Sequence, residues 1–181
     1  MSGAAGWAGL FWLGAAVIFY TYAGYGLLVY WWVHWRCPQK LQPPPPLPRA
    51  ELPALTLIVP AYNESAVLEA KLRNCLELDY PRERLELVFV TDGSTDGSER
   101  LLAARGVPAD VRLRVLHQPE RRGKLAAVER IMPLVTTPIT VFSDANALLN
   151  RGALVNLVKH YAVPAIGAVA GALIAGPIGA I

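Results

Sequence analysis

Apolar and polar positions divide this chain into three stretches with different rhythms. Residues 7–35 hold no Asp, Glu, Lys or Arg. A membrane span needs about 20 apolar residues, so this run is long enough to cross with some tilt. Trp7, Phe11 and Trp12 mark one end and Tyr30, Trp31, Trp32 and Trp35 the other, as interfacial aromatic belts do. A cleaved signal peptide is the alternative, but no positive residue precedes the run, and it exceeds the usual apolar region of about 7–15 residues. The pattern predicts a tail over 1–6 and a transmembrane helix over 7–35.

Residues 36–54 change to proline, with Pro38, a PPPP run from Pro43 to Pro46, Pro48 and Pro53. Such a segment favours extended polyproline conformations and acts as a stiff spacer. A ligand for a proline-binding partner is the other reading.

From residue 55 onward short apolar runs alternate with helical periodicities. Strands are expected over 55–60, 85–91, 111–116 and 139–142, with a fifth over 166–174. Five of the seven residues in 85–91 are Leu, Val or Phe, the signature of a strand buried on both faces. The third run alternates Val, Leu and Val around Arg112 and Arg114 and reads as an edge. Between the strands lies first a helix capped by Asn63, with Leu68, Leu72, Cys75 and Leu76 at helical spacing. A second runs from Asp96 to Arg105, with Asp96 and Glu99 as a capping box and Gly106 as its stop. A third starts near Lys124, turns Leu125, Val128 and Ile131 to one face, and ends before Pro133. A fourth covers 153–161. Strand–helix alternation predicts an α/β fold: a parallel, doubly covered sheet over 55–174, followed by a tail over 175–181. Residues 162–181 are uncharged and include a Gly167–Gly171 pair, so a second membrane span is an alternative to the fifth strand.

Composition agrees with a membrane segment: 54% apolar and 17% charged residues is unusual for a soluble domain. Arg36, Lys40 and Arg49 follow the apolar run and no charged side chain precedes it, which puts the bulk of the chain in the cytoplasm. A net charge of +3, with no basic run interleaved with aromatics, excludes nucleic acid as a partner. Cys37 and Cys75 read as unpaired thiols of a reducing compartment.

Polar residues gather where the strands stop. Tyr62-Asn63-Glu64, Asp92-Gly93-Ser94 and Ser143-Asp144-Ala145-Asn146 each follow an apolar run, and Arg121-Arg122-Gly123-Lys124 follows the third strand. In a parallel sheet all four groups converge on the carboxyl edge, where open α/β sheets bind ligands. Each alone is ordinary turn or capping chemistry; together they combine acids and amides for a base, sugar or metal with cations for phosphate. Familiar alternatives fail on reading. The first strand–helix turn, PAYNES, has no glycine for a dinucleotide fingerprint, and Gly123-Lys124 lacks the upstream glycine of a P-loop. The calcium-loop-like DGSTDG would need glutamate where Ala103 stands. His34, His117 and His160 are isolated and read as structural.

The sequences LTLIVPAYNES, ELVFVTDGSTDGS, RRGKLAAVER and ITVFSDANALL resemble, in order and spacing, the successive motifs of family 2 glycosyltransferases. These are the GT-A-fold enzymes that include cellulose-, chitin- and hyaluronan-synthase-like proteins. The resemblance covers about residues 55–173, the donor-binding portion, and implies a C-terminally truncated enzyme at the bacterial inner membrane with its catalytic domain in the cytoplasm. It implies a nucleotide-diphosphate sugar, most often a UDP-sugar, an unidentified acceptor, and transfer with inversion. By the same resemblance Pro60, Ala61, Tyr62 and Glu64 correspond to the nucleobase and ribose turn, and Asp92 with Ser94 to the uracil contact. Gly123 and Lys124 correspond to a basic position near the nucleotide, and Asp144-Ala145-Asn146 to the DxD motif that holds Mg²⁺ or Mn²⁺ and the diphosphate. Two departures stand out. Asn146 replaces the second aspartate, and no Asp or Glu follows Asp144, so the general base an inverting transfer needs has no candidate here. The alternative is a non-catalytic nucleotide-sugar-binding module.

Overall fold

The computed structural model describes residues 2–36 and 44–171 and divides into two compact units, one ending at Pro43 and one beginning at Pro44. Expectations about Cys37, the last part of the fifth strand and the 175–181 tail lie outside the described residues.

The described residues of the first unit are helical: α1 (Ser2–Phe19), a π-helical turn (Tyr20–Gly24) and α2 (Tyr25–Arg36). Helix therefore begins within the expected tail. The Thr21 hydroxyl donates back to the Val17 carbonyl at 2.8 Å, one way a helix interior accommodates a wider turn. The stretch Gly6–Arg36, 31 residues, is long and apolar enough to cross a membrane by length and composition.

The second unit is built on a four-stranded parallel sheet of order β3-β2-β1-β4. The strands are β1 (Leu55–Ala61), β2 (Leu85–Asp92), β3 (Arg112–Gln118) and β4 (Ile139–Phe142). Helices α3 (Ser65–Leu76) and α4 (Ser98–Ala104) connect β1 to β2 to β3 in one direction. α5 (Lys124–Ile131) carries the chain back across to β4 on the other side of β1, and α6 (Ala153–Val158) follows. Right-handed crossovers force the reversal onto the opposite face of the sheet. Alternation along the strands confirms two faces: Leu55, Leu57, Val59, Leu85, Leu87 and Phe89 pack with Leu68, Leu72, Leu102 and Leu154. Ile58, Val88 and Val90 pack on the other side with Ala127 and Ile131 of α5. Each such Val, Leu, Ile or Phe side chain contributes about 1.5–3 kcal/mol over exposure.

Several expectations shift. α4 starts at Ser98, not Asp96, because Gly97 takes a left-handed conformation (φ 78°) and the capping box does not form. On α5 the buried positions are Ala127 and Ile131, while Leu125 is 73% exposed. The fourth helix stops at Val158 and tightens into a 3₁₀ turn. Residues 166–171 form no strand. The folded unit starts before residue 55: Leu52 is buried and Leu47 packs against the main core. β3 is an edge among the described strands, and its Arg114 pairs with Glu86 of β2 at 2.7 Å.

Candidate functional site

At the carboxyl edge of the sheet, chain order reverses between β1 and β4, the kind of crevice that binds ligands in open α/β sheets. Asp92, the last residue of β2, is 5% exposed. Its Oδ2 accepts the backbone N–H groups of Arg122 at 2.9 Å and Gly123 at 2.6 Å. Its Oδ1 is buried and has no hydrogen-bond partner. The loop after β3 reaches Asp92 because Gly93 lets it: a Cβ there would stand 2.6 Å from the Arg121 Cβ, and its φ is +68°. The Gly93 N–H also donates to the Gln118 carbonyl at 2.7 Å, extending the β2–β3 ladder into the loop.

The turn after β1 is stitched to the turn after β2. Asn63 does not cap α3; it sits at φ 51° with its Oδ1 accepting from Thr95 N–H at 2.8 Å. Ser94 Oγ accepts the Asn63 N–H at 3.2 Å. Glu64 occupies the cap position without a side-chain bond, and the orphan N–H of Ser65 is taken by Asp96 from the neighbouring loop at 2.8 Å. Asp96 also accepts from Ser98 N–H at 3.1 Å. Partial burial, then the nearby Asp144 carboxylate, push the Glu64 carboxyl above its ordinary pKa, with Lys124 opposing.

The third group lies on the turn after β4. Asp144 pairs with Lys124 of α5, both side chains being well exposed. Beneath the turn, the fully buried Lys71 of α3 donates to Ser143 Oγ at 2.7 Å and to the Ala147 carbonyl. Desolvation draws the Lys71 pKa below the ordinary lysine value, against Cys75 and Asp144.

These loops enclose a cleft of about 290 Å³. Pro60 and Ala61 line it from the end of β1, Tyr62 and Glu64 from the turn that follows, and Asp92 from β2. Gly123, Lys124, Asp144 and Ala145 complete the group of expected residues around it. Ser94 and Asn146 are not brought to its wall: Ser94 is spent on Asn63, and Asn146 is exposed on the turn. Val90 and Ala127 line the cleft without having been singled out, and Arg121, expected there only as one of the cations for phosphate, lines it beside Tyr62. The Arg121 guanidinium lies 3.9 Å over the Tyr62 ring, a cation–π contact at the cleft wall. Its signal was the Arg-Arg-Gly-Lys run itself. Lys71 was also missed, although it falls three residues after Leu68 and four before Cys75, on the buried face of α3.

Among the described residues no three His, Cys, Asp or Glu side chains converge as a metal cage. Of the expected metal pair only Asp144 lines the cleft, and its carboxylate offers hard oxygens of the sort Mg²⁺ and Mn²⁺ accept when substrate phosphates supply most of the coordination. The donor set fits such an ion.

A parallel sheet covered on both faces, with a charged cleft at the carboxyl ends of its strands, is an α/β arrangement of GT-A type. The chain belongs to glycosyl transferase family 2, whose model matches residues 56–178. It is 30% identical over 123 residues to the beta-monoglucosyldiacylglycerol synthase of Nostoc sp., covering 67% of this chain and 26% of that protein. The poly-beta-1,6-N-acetyl-D-glucosamine synthase of Staphylococcus aureus is 27% identical over 122 residues, 67% of this chain and 29% of its own length. The chain thus spans little more than a quarter of these curated relatives. Among solved structures it resembles mannosyltransferase PcManGT from Pyrobaculum calidifontis, solved with GDP-Man and Mn²⁺. There the identity is 38% and the TM-score 0.67, over 84% of this chain and 45% of that one. Staphylococcus aureus TarS shares the fold at 22% identity and TM-score 0.51, over 56% of this chain and 30% of that one.

Proposed function

We propose that this chain binds the nucleotide-diphosphate sugar of a membrane-anchored family 2 glycosyltransferase, with its folded unit in the cytoplasm at a bacterial inner membrane. The observation that carries the reading is Asp92: one oxygen saturated by two backbone N–H groups, the other buried without a partner, on a side chain that lines the cleft. A desolvated carboxylate oxygen gains most from an N–H donor. One free oxygen suits the single imide N–H of uracil better than the two-donor edge of guanine, which favours a UDP-sugar. Tyr62 and Arg121 supply stacking surface for the base, and Lys124 supplies positive charge toward the diphosphate.

Asp144, together with the substrate phosphates, would hold a divalent ion that neutralises charge on the departing diphosphate. The chain's own share of the chemistry is to seat the base, orient the diphosphate and hold the sugar at the mouth of the cleft. No Asp or Glu follows Asp144 in these residues, so the proton from an acceptor hydroxyl has no carboxylate here to receive it. Anchoring is supported by the apolar helix Gly6–Arg36 and the cations that follow it.

A thermal-shift screen of the full chain in detergent, across UDP and GDP with and without Mn²⁺, tests the binding. UDP with Mn²⁺ is expected to give the largest rise in Tm; no rise with any nucleotide diphosphate at millimolar concentration refutes it. Sugar transfer from UDP-sugars by this chain alone is expected to be undetectable in a radiolabel assay. Robust turnover would mean that another group takes the proton.

A further inference from the structure

Lys71 lies on the core-facing side of α3, between Leu68 and Cys75, with no exposed surface. Lysines at such positions ordinarily extend their heads to water. A buried ammonium is costly unless it is hydrogen-bonded, and a Leu or Met would fill the same space without that cost. What the ammonium does that an apolar side chain cannot is join the two ends of the turn after β4. It donates to Ser143 Oγ at 2.7 Å and to the Ala147 carbonyl. The Ala147 N–H in turn donates to the Asp144 carbonyl at 3.2 Å and closes the loop. Ala145, between them, is buried at 1% exposure, which leaves Asp144 and Asn146 projecting outward on either side of it. Three residues further along α3, Asn74 grips Leu149 twice: Nδ2 donates to the Leu149 carbonyl at 2.7 Å, and Oδ1 accepts its N–H at 2.8 Å. One helix face thus fixes the whole segment after β4 from below.

We propose that Lys71 is a positioning residue for the diphosphate end of the cleft: its buried ammonium ties Ser143 to Ala147 and so holds the Asp144 carboxylate, between them, in the geometry that takes a metal-bound diphosphate. The inference rests on the nucleotide-sugar reading above and concerns the half of the ligand that Asp92 does not touch.

The test compares uridine with UDP plus Mn²⁺ by calorimetry on the full chain in detergent. Uridine reports the Asp92 end alone, and the ratio of the two affinities reports the diphosphate end. In Lys71→Met uridine affinity is expected to stay at the wild-type value while that ratio falls about 10- to 100-fold, the size of effect that partners of ligating side chains have. Ser143→Ala is expected to give a smaller fall in the same ratio, and none in the Lys71→Met background, because both act through one bond. If the wild type binds neither uridine nor UDP, the nucleotide-sugar reading fails and this one with it. If the wild type shows the ratio and Lys71→Met keeps it, or loses uridine and UDP alike, the role of Lys71 alone is overturned. Should Lys71→Met fail to fold, an unchanged ratio in Ser143→Ala overturns it instead.

Discussion

Asp92 ends β2, Asp144 lies on the turn after β4, and both line one cleft, yet they are held in opposite ways. Asp92 is 5% exposed, fixed by two backbone N–H groups and left with one buried oxygen unpaired. Asp144 has a side chain 61% exposed, paired with an equally open Lys124, on a turn secured from below by Lys71 and Asn74. The contrast matches what each end of a nucleotide sugar asks for. A base is a rigid, weakly charged plane, recognised by a few fixed hydrogen bonds in a dry site. A diphosphate is a mobile, highly charged group, and exposed charges that exchange partners suit its arrival and departure. Rigidity sits inside the side chain's own contacts at Asp92 and beneath the turn at Asp144.

Asp92→Ala breaks the comparison most sharply. It removes the acceptor of two N–H groups and is expected to lower stability by roughly 1–3 kcal/mol in a denaturant melt, while abolishing the whole UDP-dependent rise in Tm. Asp144→Ala is expected to change stability by less than about 1 kcal/mol, because an exposed ion pair contributes little. Of the nucleotide effect it should remove only the part that depends on Mn²⁺. Equal losses in the two variants would mean that the two ends of the cleft are not functionally distinct. A still smaller effect belongs to Asp96, which ties the first two loops together. Slight desolvation raises its pKa, but hydrogen bonds from Ser98 and Ser65 outweigh this and hold it at about 2, against an ordinary 3.8. A lowered folded-state pKa stabilises the fold fully above pH 3.8, and the contribution fades as pH falls toward about 2. The Tm difference between wild type and Asp96→Asn should therefore be constant above that range and vanish at its lower end.

Strand positions were legible because a parallel sheet buried on both faces leaves few ways to read an apolar run. β4 falls at the expected residues, and β1 and β2 each run one residue further, to Ala61 and Asp92. Capping was less legible. Asn63 and Asp96 carry side chains that favour caps, but each is claimed by a neighbouring loop more than thirty residues away in sequence, Asn63 by Thr95 and Asp96 by Ser65. Local propensity cannot register a partner brought in by the sheet. Lys71 shows the opposite failure: its place on the apolar face of α3 was visible, and its charge argued against burial until Ser143 and Ala147 supplied acceptors.

By itself the sequence determined the order of the strands along the chain, the apolar helix before them, and the delivery of Glu64, Asp92, Lys124 and Asp144 to one sheet edge. Apolar periodicity acts over a few residues at a time and is written locally, and strand–helix alternation then leaves a parallel sheet as the arrangement that buries the strands. Which oxygen of Asp92 stays free, that Arg121 covers Tyr62, that Ser94 is spent on Asn63, and that Lys71 lies under the turn were decided only in three dimensions. Each depends on hydrogen bonds or stacking between loops distant in sequence, and a donor finds its acceptor only after the core has brought the two together.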